Sequence, residues 1–262
     1  SGKLVVGTAS GYPPYEFVND KGEPDGYNIE LIKAIAKELN IELEFRPGVW
    51  AELRTAFDNH QVDLLSGMFY TQERNKYYDF SVPHSMISYV VFTRKGEEKF
   101  ETVESLSGKK VLTQKNDYAY EWLSKKDNYV IGVDSPKEAI ISLSAGNYDC
   151  ALLSKTVGLY YAKTQNITNL EISEHIFLKQ RYCFAVQKNN YDLISQMNEG
   201  LIYLKNEGTL LKIQEKWFGE FDKESLSVTG IIRTSLYVLI PVAGIIIFLL
   251  IWTWQLRKQV RK

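Results

Sequence analysis

The chain has 262 residues, 45% apolar and 24% charged, with 17 glycines and seven prolines, a globular composition that excludes collagen-like and disordered chains. Its net charge of −1 hides an asymmetry: residues 231–262 hold five cations and no acid, so residues 1–230 carry 26 cations against 32 anions. A basic face for nucleic acid is excluded, two cysteines cannot build a disulfide framework, and three scattered histidines form no metal cluster, so no cofactor is expected.

Lys3–Thr8 is a short apolar run of strand type. Ile29, Leu31, Ile32, Ile35, Ala36 and Leu39 then recur at helical spacing. Ile41, Leu43 and Phe45 alternate, as in a strand with one buried face. A second helix carries Leu53, Ala56 and Phe57, and a strand covers Val62–Leu65. This βαβαβ order predicts a parallel sheet with helices on both faces. The pattern returns as strand Lys110–Thr113, helix Tyr118–Lys125, strand Tyr129–Val133, helix Lys137–Ala145 and strand Asp149–Leu153. RTAFDNHQVDLL at 54–65 matches ISLSAGNYDCALL at 141–153, a helix ending in a polar turn that re-enters the sheet through an Asp. Two lobes in tandem are expected rather than one large sheet. A helical stretch, 192–217, has no sheet of its own and packs back on the first lobe. The chain then crosses between lobes near Ser88–Val90 and near Tyr182–Ala185. Two crossings make a hinge, and the cleft between lobes suits a small molecule.

From Thr234 to Leu256 there are 23 residues without a charge. As a helix they span roughly 35 Å, enough for the hydrocarbon core. Tyr237 lies near one end, and Trp252 and Trp254 near the other, as in interfacial aromatic belts. RKQVRK follows and an acidic segment precedes, so the positive-inside rule puts the C-terminus in the cytoplasm. Residues 1–233 are then periplasmic or extracellular. Arg257–Lys262 reads as the start of a cytoplasmic helix, and the chain as a piece of a longer protein. Cys150 and Cys183 are expected to be unpaired.

GTASGYPPYEF at 7–17, DGYNIEL at 25–31, SGMFYTQER at 66–74, DFSVPH at 79–84 and GTLLKIQEKWFG at 208–219 resemble the polar amino-acid-binding, Venus-flytrap class of periplasmic solute-binding proteins, family 3. The resemblance spans about residues 3–220 and implies a type II two-lobe α/β fold followed here by one membrane helix. With the WQLRKQVRK tail it looks like the sensor domain of a membrane histidine kinase; a diguanylate cyclase could equally follow such a helix. The implied domains are 1–88 plus 185–220 for lobe 1, 89–184 for lobe 2, 221–233 as linker, 234–256 in the membrane and 257–262 beyond it.

The resemblance also implies a site. Arg74 matches the arginine that clamps a ligand carboxylate, a task suited to a planar fork of donors. Tyr12 matches a ring that stacks on the ligand, and Trp50 an apolar cleft residue. Ser66 and Gly67 match a loop whose backbone meets the ligand amino group. This chain departs from the pattern with Asn28 for an acid in DGYNIEL, Ala9 for an acid, Phe69 for a hydroxyl residue and Ser154 for the second-lobe acid. Its second-lobe carboxylate loop reads KNDYAY, which puts Asn116 and Asp117 at the start of the helix containing Tyr118. Asp117 either caps that helix or takes the ligand carboxylate's place, where it would pair with Arg74 and latch the lobes. An amino-acid-like or carboxylate solute, an aromatic compound held by Tyr12, Trp50, Phe69 and Tyr118, or no ligand at all are left open.

The expected function is ligand sensing by a homodimeric inner-membrane receptor through one helix, with no enzymatic activity in this piece. The alternatives are a membrane-anchored binding subunit of an amino-acid ABC transporter, and an enzyme of the same fold. The enzyme would need an acid–base pair, for which Glu16, Asp117 and His84 are the candidates.

Overall fold

A computed structural model describes residues 2–126 and 129–225, and all structural statements concern those residues. The expected membrane run 234–256, most of the linker and the tail 257–262 lie outside them. Among the described residues no helix is long and apolar enough to cross a membrane. The chain up to Trp217 forms one compact unit; Phe218 begins a second, of which only the end of a helix is described.

The first lobe opens with strand β1 (Lys3–Ala9), short strands β2 (Gly11–Tyr12), β3 (Glu16–Val18) and β4 (Pro24–Asp25), and helix α1 (Tyr27–Glu38). Gly26 starts α1 at φ 120°, where a Cβ would come within 2.5 Å of the Tyr15 carbonyl oxygen, so the entry requires glycine. Ile29, Leu31, Ile32, Ile35 and Ala36 are all buried. β5 (Glu42–Gly48), α2 (Trp50–Asp58) and β6 (Leu64–Phe69) follow, with β5 and β6 parallel to β1 on either side. The βαβαβ expectation holds. β6 runs beyond Leu65, however, so Ser66 and Gly67 are buried strand residues rather than loop.

After a 3-10 turn (Arg74–Lys76) and β7 (Tyr78–Phe80), strand β8 (Ser85–Arg94) leads into the second lobe. That lobe contains β9 (Val111–Gln114), α3 (Tyr118–Ser124), β10 (Val130–Val133), α4 (Pro136–Ser144), β11 (Cys150–Ser154), α5 (Lys155–Thr164) and β12 (Leu170–Ile172). β10 and β11 flank β9 in parallel. The Ser135 hydroxyl caps α4 by accepting from Glu138 N–H at 3.2 Å, and Glu138 accepts from Asp134 N–H at 3.1 Å. The repeat between the lobes extends to one hydrogen bond: Asp63 accepts from Val5 N–H at 2.8 Å, and Asp149 accepts from Lys110 N–H at 2.7 Å. Each acid fastens the re-entering chain to its lobe's first strand.

β13 (Leu178–Gln187) returns the chain to the first lobe, and α6 (Tyr191–Asn206) and α7 (Thr209–Ser225) close it. α6 lies against α1 so closely that a Cβ on Gly200 would sit 2.5 Å from Ile35. Trp217 of α7 donates to Glu30 of α1 at 2.8 Å. The C-terminal helices do pack on the first lobe.

The lobes are not separate sheets. β8 and β13 pair antiparallel from Ser85 to Tyr89 and join both lobes into one ladder, β10-β9-β11-β8-β13-β6-β1-β5. Both crossing strands have ten residues. Paired with each other they satisfy their own backbone groups across the hinge, where loops would leave them to solvent.

Candidate functional site

The lobes face each other across β8 and β13, and side chains of Trp50, Arg54, Arg74 and Tyr161 bridge them. Trp50, the first residue of α2, donates its indole N–H to the Asn116 carbonyl at 2.9 Å. Tyr161 of α5 donates to the Gly11 carbonyl at 3.0 Å. Arg74 reaches Glu121 of α3 at 2.8 Å and the Asn116 carbonyl at 3.5 Å. Arg54 stands 3.6 Å from the same Glu121 oxygen.

Behind these bridges lies a cavity of about 20 Å³, lined by Ala9, Tyr12, Glu16, Trp50, Gly67 and Phe69 from one side, Gln114 and Asp117 from the other, and Tyr182 from the hinge. That volume holds about one water-sized group. Aromatic rings take up the remaining space. Tyr182 lies 4.9 Å from Phe69 and 6.2 Å from Tyr12, and its ring presses on Gly67, where a Cβ would come within 2.2 Å. Phe69 also meets Tyr89 and Tyr118, at 5.5 and 6.3 Å.

Two buried carboxylates stand at this cavity, in different circumstances. Glu16 is 1% exposed and accepts from Ala9 N–H at 3.1 Å, Asn28 at 2.9 Å and the Ser66 hydroxyl. Burial raises its pKa, and those donors oppose the rise. Asn28, which replaces a family acid, is therefore a donor to Glu16; a second carboxylate there would oppose a buried charge. Asp117 sits at the N-cap position of α3, with extended backbone and no side-chain capping bond. It instead accepts from the Tyr89 hydroxyl of β8 at 2.6 Å. Burial raises its pKa as well, opposed first by that hydrogen bond. The buried Tyr12 hydroxyl lies within hydrogen-bonding reach of the Tyr89 and Ser154 hydroxyls; the Thr113 hydroxyl is buried without a partner among the described residues.

Of the two readings of Asp117, neither the cap of α3 nor the latch to Arg74 is the arrangement this geometry shows. No hydrogen bond or ion pair joins Arg74 and Asp117 among the described residues. Asp117 turns inward to Tyr89, and the acid that meets Arg74 is Glu121, one helical turn further along α3. Arg74 itself is buried but does not line the central cavity. Tyr12, Trp50, Gly67, Phe69 and Asp117 do. The Ser66 side chain is committed to Glu16, the Asn116 side chain is exposed while its carbonyl bridges, Tyr118 is half-buried, and Ser154 is buried at the start of α5.

Glu121, Tyr89, Tyr161, Gln114 and Tyr182 were not singled out from the sequence. Helical spacing from Asp117 could have flagged Glu121; nothing local marks the others. The acid–base trio does not assemble: Glu16 is occupied by donors, and His84 stacks at 4.5 Å on Phe184 with both ring nitrogens unpartnered. Burial lowers its pKa to about 3. Cys150 and Cys183 are free and buried, and burial pushes both thiols up to about 12.

The model of the bacterial extracellular solute-binding proteins, family 3, matches residues 4–220. The chain belongs to this family. Among family relatives, the L-cystine-binding protein TcyJ of Escherichia coli (strain K12) is 31% identical over 225 residues, 83% of each chain. The L-cystine-binding protein TcyA of Bacillus subtilis (strain 168) is 27% identical, covering 84% of this chain and 82% of its own. In structure, a histidine kinase sensor domain with similarity to periplasmic binding proteins superposes with a TM-score of 0.80 at 33% identity, over 83% of this chain and 96% of that one. An ancestral arginine-binding protein bound to arginine gives 0.77 at 33% identity, over 83% and 99%. The two-lobe type II fold expected from the motifs is thereby shown.

Proposed function

We infer that this chain is the extracytoplasmic sensor of a transmembrane receptor, a histidine kinase in the leading reading, which reports opening and closure of its cleft on a small amino-acid-like or carboxylate solute. The observation that carries this reading is the bridged cleft. Trp50, Arg74 and Tyr161 tie the lobes together over a cavity lined by Tyr12, Glu16 and Asp117. A solute larger than one water-sized group must part those bridges or replace them, so occupancy and lobe angle are coupled. The coupling is limited by the difference in the solute's affinity for the open and closed forms.

In this reading lobe 1 is 1–88 plus 185–220 and lobe 2 is 89–184. Segment 221–233 carries the change to an inner-membrane helix at 234–256, and a homodimer gives that helix a partner to move against. Tyr12, Trp50, Gly67, Phe69 and Asp117 face the solute, Ser154 and Tyr118 border it, and Arg74 acts as clamp or bridge. The similarity to a histidine kinase sensor domain supports this output. A second reading, a membrane-anchored binding subunit of a transporter, is favoured by relatives named for transport, such as the ABC transporter arginine-binding protein 1 of Escherichia coli.

Two measurements test the proposal. In intact cells a cysteine at Ser227 should react with a membrane-impermeant thiol reagent and one at Gln259 should not; the reverse pattern overturns the topology. Fused ahead of a kinase core of known output, residues 1–262 should change its autophosphorylation when cystine or arginine is added. A kinase that stays silent while the solute binds favours the transport reading.

A further inference from the structure

A second cavity, of about 370 Å³, opens where three parts of the chain meet, and its volume lies within the range of small-molecule sites. Tyr70 and Glu73 line it from the first lobe, Tyr118, Glu121, Trp122 and Lys125 from α3, and Gln180 and Arg181 from β13. It shares no lining residue with the central cavity, and Arg74 is not part of it. Its β13 residues belong to the hinge ladder, where Gln180 and Arg181 pair with Ile87 and Met86 of β8.

The walls offer rings and uncommitted positive charge. Tyr70, Tyr118 and Trp122 are each half-buried, so part of every ring is open to a guest. The Arg181 guanidinium lies 3.9 Å from the centre of the Tyr70 ring, a stacking contact that holds it at the cavity wall in advance. The Tyr70 N–H donates to the Arg181 carbonyl at 3.0 Å and fixes the two residues side by side. Both acids of the lining are already committed, Glu121 to Arg74 at 2.8 Å and Glu73 to Lys76 at 2.6 Å. Arg181 and Lys125 are exposed, and neither meets an acid among the described residues. A guest with a flat apolar body and one negative charge would use both features.

We propose that this hinge-side cavity binds an aromatic anion, with its ring among Tyr70, Tyr118 and Trp122 and its charged group on Arg181 beside Lys125. The planar guanidinium suits a planar carboxylate on such a ring. The ligand touches the first lobe, the second lobe and the hinge strand at once, so its occupancy favours the lobe angle at which those walls stand together. Tyr118 also lies 6.3 Å from Phe69 of the central cavity, which places one ring between the two sites. The site is separate from the solute cavity and takes a second ligand.

The test titrates 4-hydroxybenzoate into the full 262-residue chain in detergent by calorimetry, with the titration into detergent alone subtracted. Cyclohexanecarboxylate, which has the charge without the π face, and 4-hydroxybenzamide, which has the ring without the charge, are the comparison compounds. The aromatic anion should bind with a dissociation constant of about 1 mM or tighter. Arg181→Gln and Trp122→Leu should each weaken it about tenfold. Glu73→Gln removes an acid from the wall and should tighten binding, a gain that misfolding cannot produce. Asp117→Asn removes an acid from the central cavity and should leave the affinity unchanged. The site is refuted if 4-hydroxybenzoate does not bind, if either comparison compound binds as tightly, if Arg181→Gln binds as the wild type, or if Glu73→Gln weakens binding. Tighter binding in Asp117→Asn would also refute it and move the anion to the solute cavity, leaving the sensor reading intact.

Discussion

Glu121→Gln should open the cleft. Arg74 is 4% exposed, and its only acid partner among the described residues is Glu121, itself 37% exposed. A charge-assisted hydrogen bond contributes about 1.5–3 kcal/mol when screened from water. Exposure of Glu121 places this one at the low end, so about 1–1.5 kcal/mol is the expected loss. Glutamine keeps the size and a hydrogen-bonding oxygen and removes only the charge. Arg74 is then a buried cation without a counter-ion, and parting the lobes is the route by which it regains water. The open form should gain about 5- to 12-fold in population relative to the closed one. Spin labels on cysteines at Glu52 and Lys126, exposed positions on opposite lobes, report the distance by electron–electron resonance. The native thiols do not interfere, being 0% and 1% exposed. The variant should broaden the distance distribution toward longer separations, and high salt should shift the wild type the same way but not the variant. Identical distributions in wild type and variant would refute the bridge as a determinant of closure.

Three further outcomes follow from the buried groups. Burial lowers the His84 pKa from 6.5 to about 3, so its contribution to stability is complete above pH 6.5 and lost as pH falls toward 3. His84→Phe, which keeps the stacking on Phe184, should gain about 2 kcal/mol over the wild type at pH 5 relative to pH 8 in urea titrations; Glu16 and Asp117, whose raised pKa values act in the opposite direction, are common to both proteins, and an equal difference at both pH values would contradict the assignment. Gly67→Ala drives a methyl into the Tyr182 ring and should cost about 1–3 kcal/mol in urea midpoint; an unaffected midpoint would mean that Tyr182 is not fixed there. Tyr89→Phe strips Asp117 of the hydroxyl at 2.6 Å and should destabilise by about 1–3 kcal/mol, with the loss shrinking at acid pH as Asp117 takes up a proton; a loss independent of pH would show that the carboxylate is not involved.

The sequence by itself determined the local elements and their order. Period-two and period-3.6 patterns placed β1, α1, β5 and α2 and the five elements from β9 to β11, because one buried face per element leaves its mark on every second or every third to fourth residue. The paired Asp63 and Asp149 were legible as a repeat, and the hydrogen bonds bear it out. Of the ten residues expected at the site, Tyr12, Trp50, Gly67, Phe69 and Asp117 line the central cavity, and Ser66, Arg74, Asn116, Tyr118 and Ser154 do not. The strands β8 and β13 were seen only as crossing points, since their partners lie about ninety residues apart and neither shows a simple alternation. Tertiary structure alone decided which acid meets Arg74. Asp117 and Glu121 stand four residues apart on one helix face, and sequence spacing cannot say which faces the other lobe and which faces Tyr89. It also decided the fate of Glu16, surrounded by donors from Ala9, Asn28 and Ser66, and of Tyr182, which occupies the space above Gly67. Those partners come from four segments that meet only when the lobes form, and a contact between distant segments leaves no periodic trace in the chain.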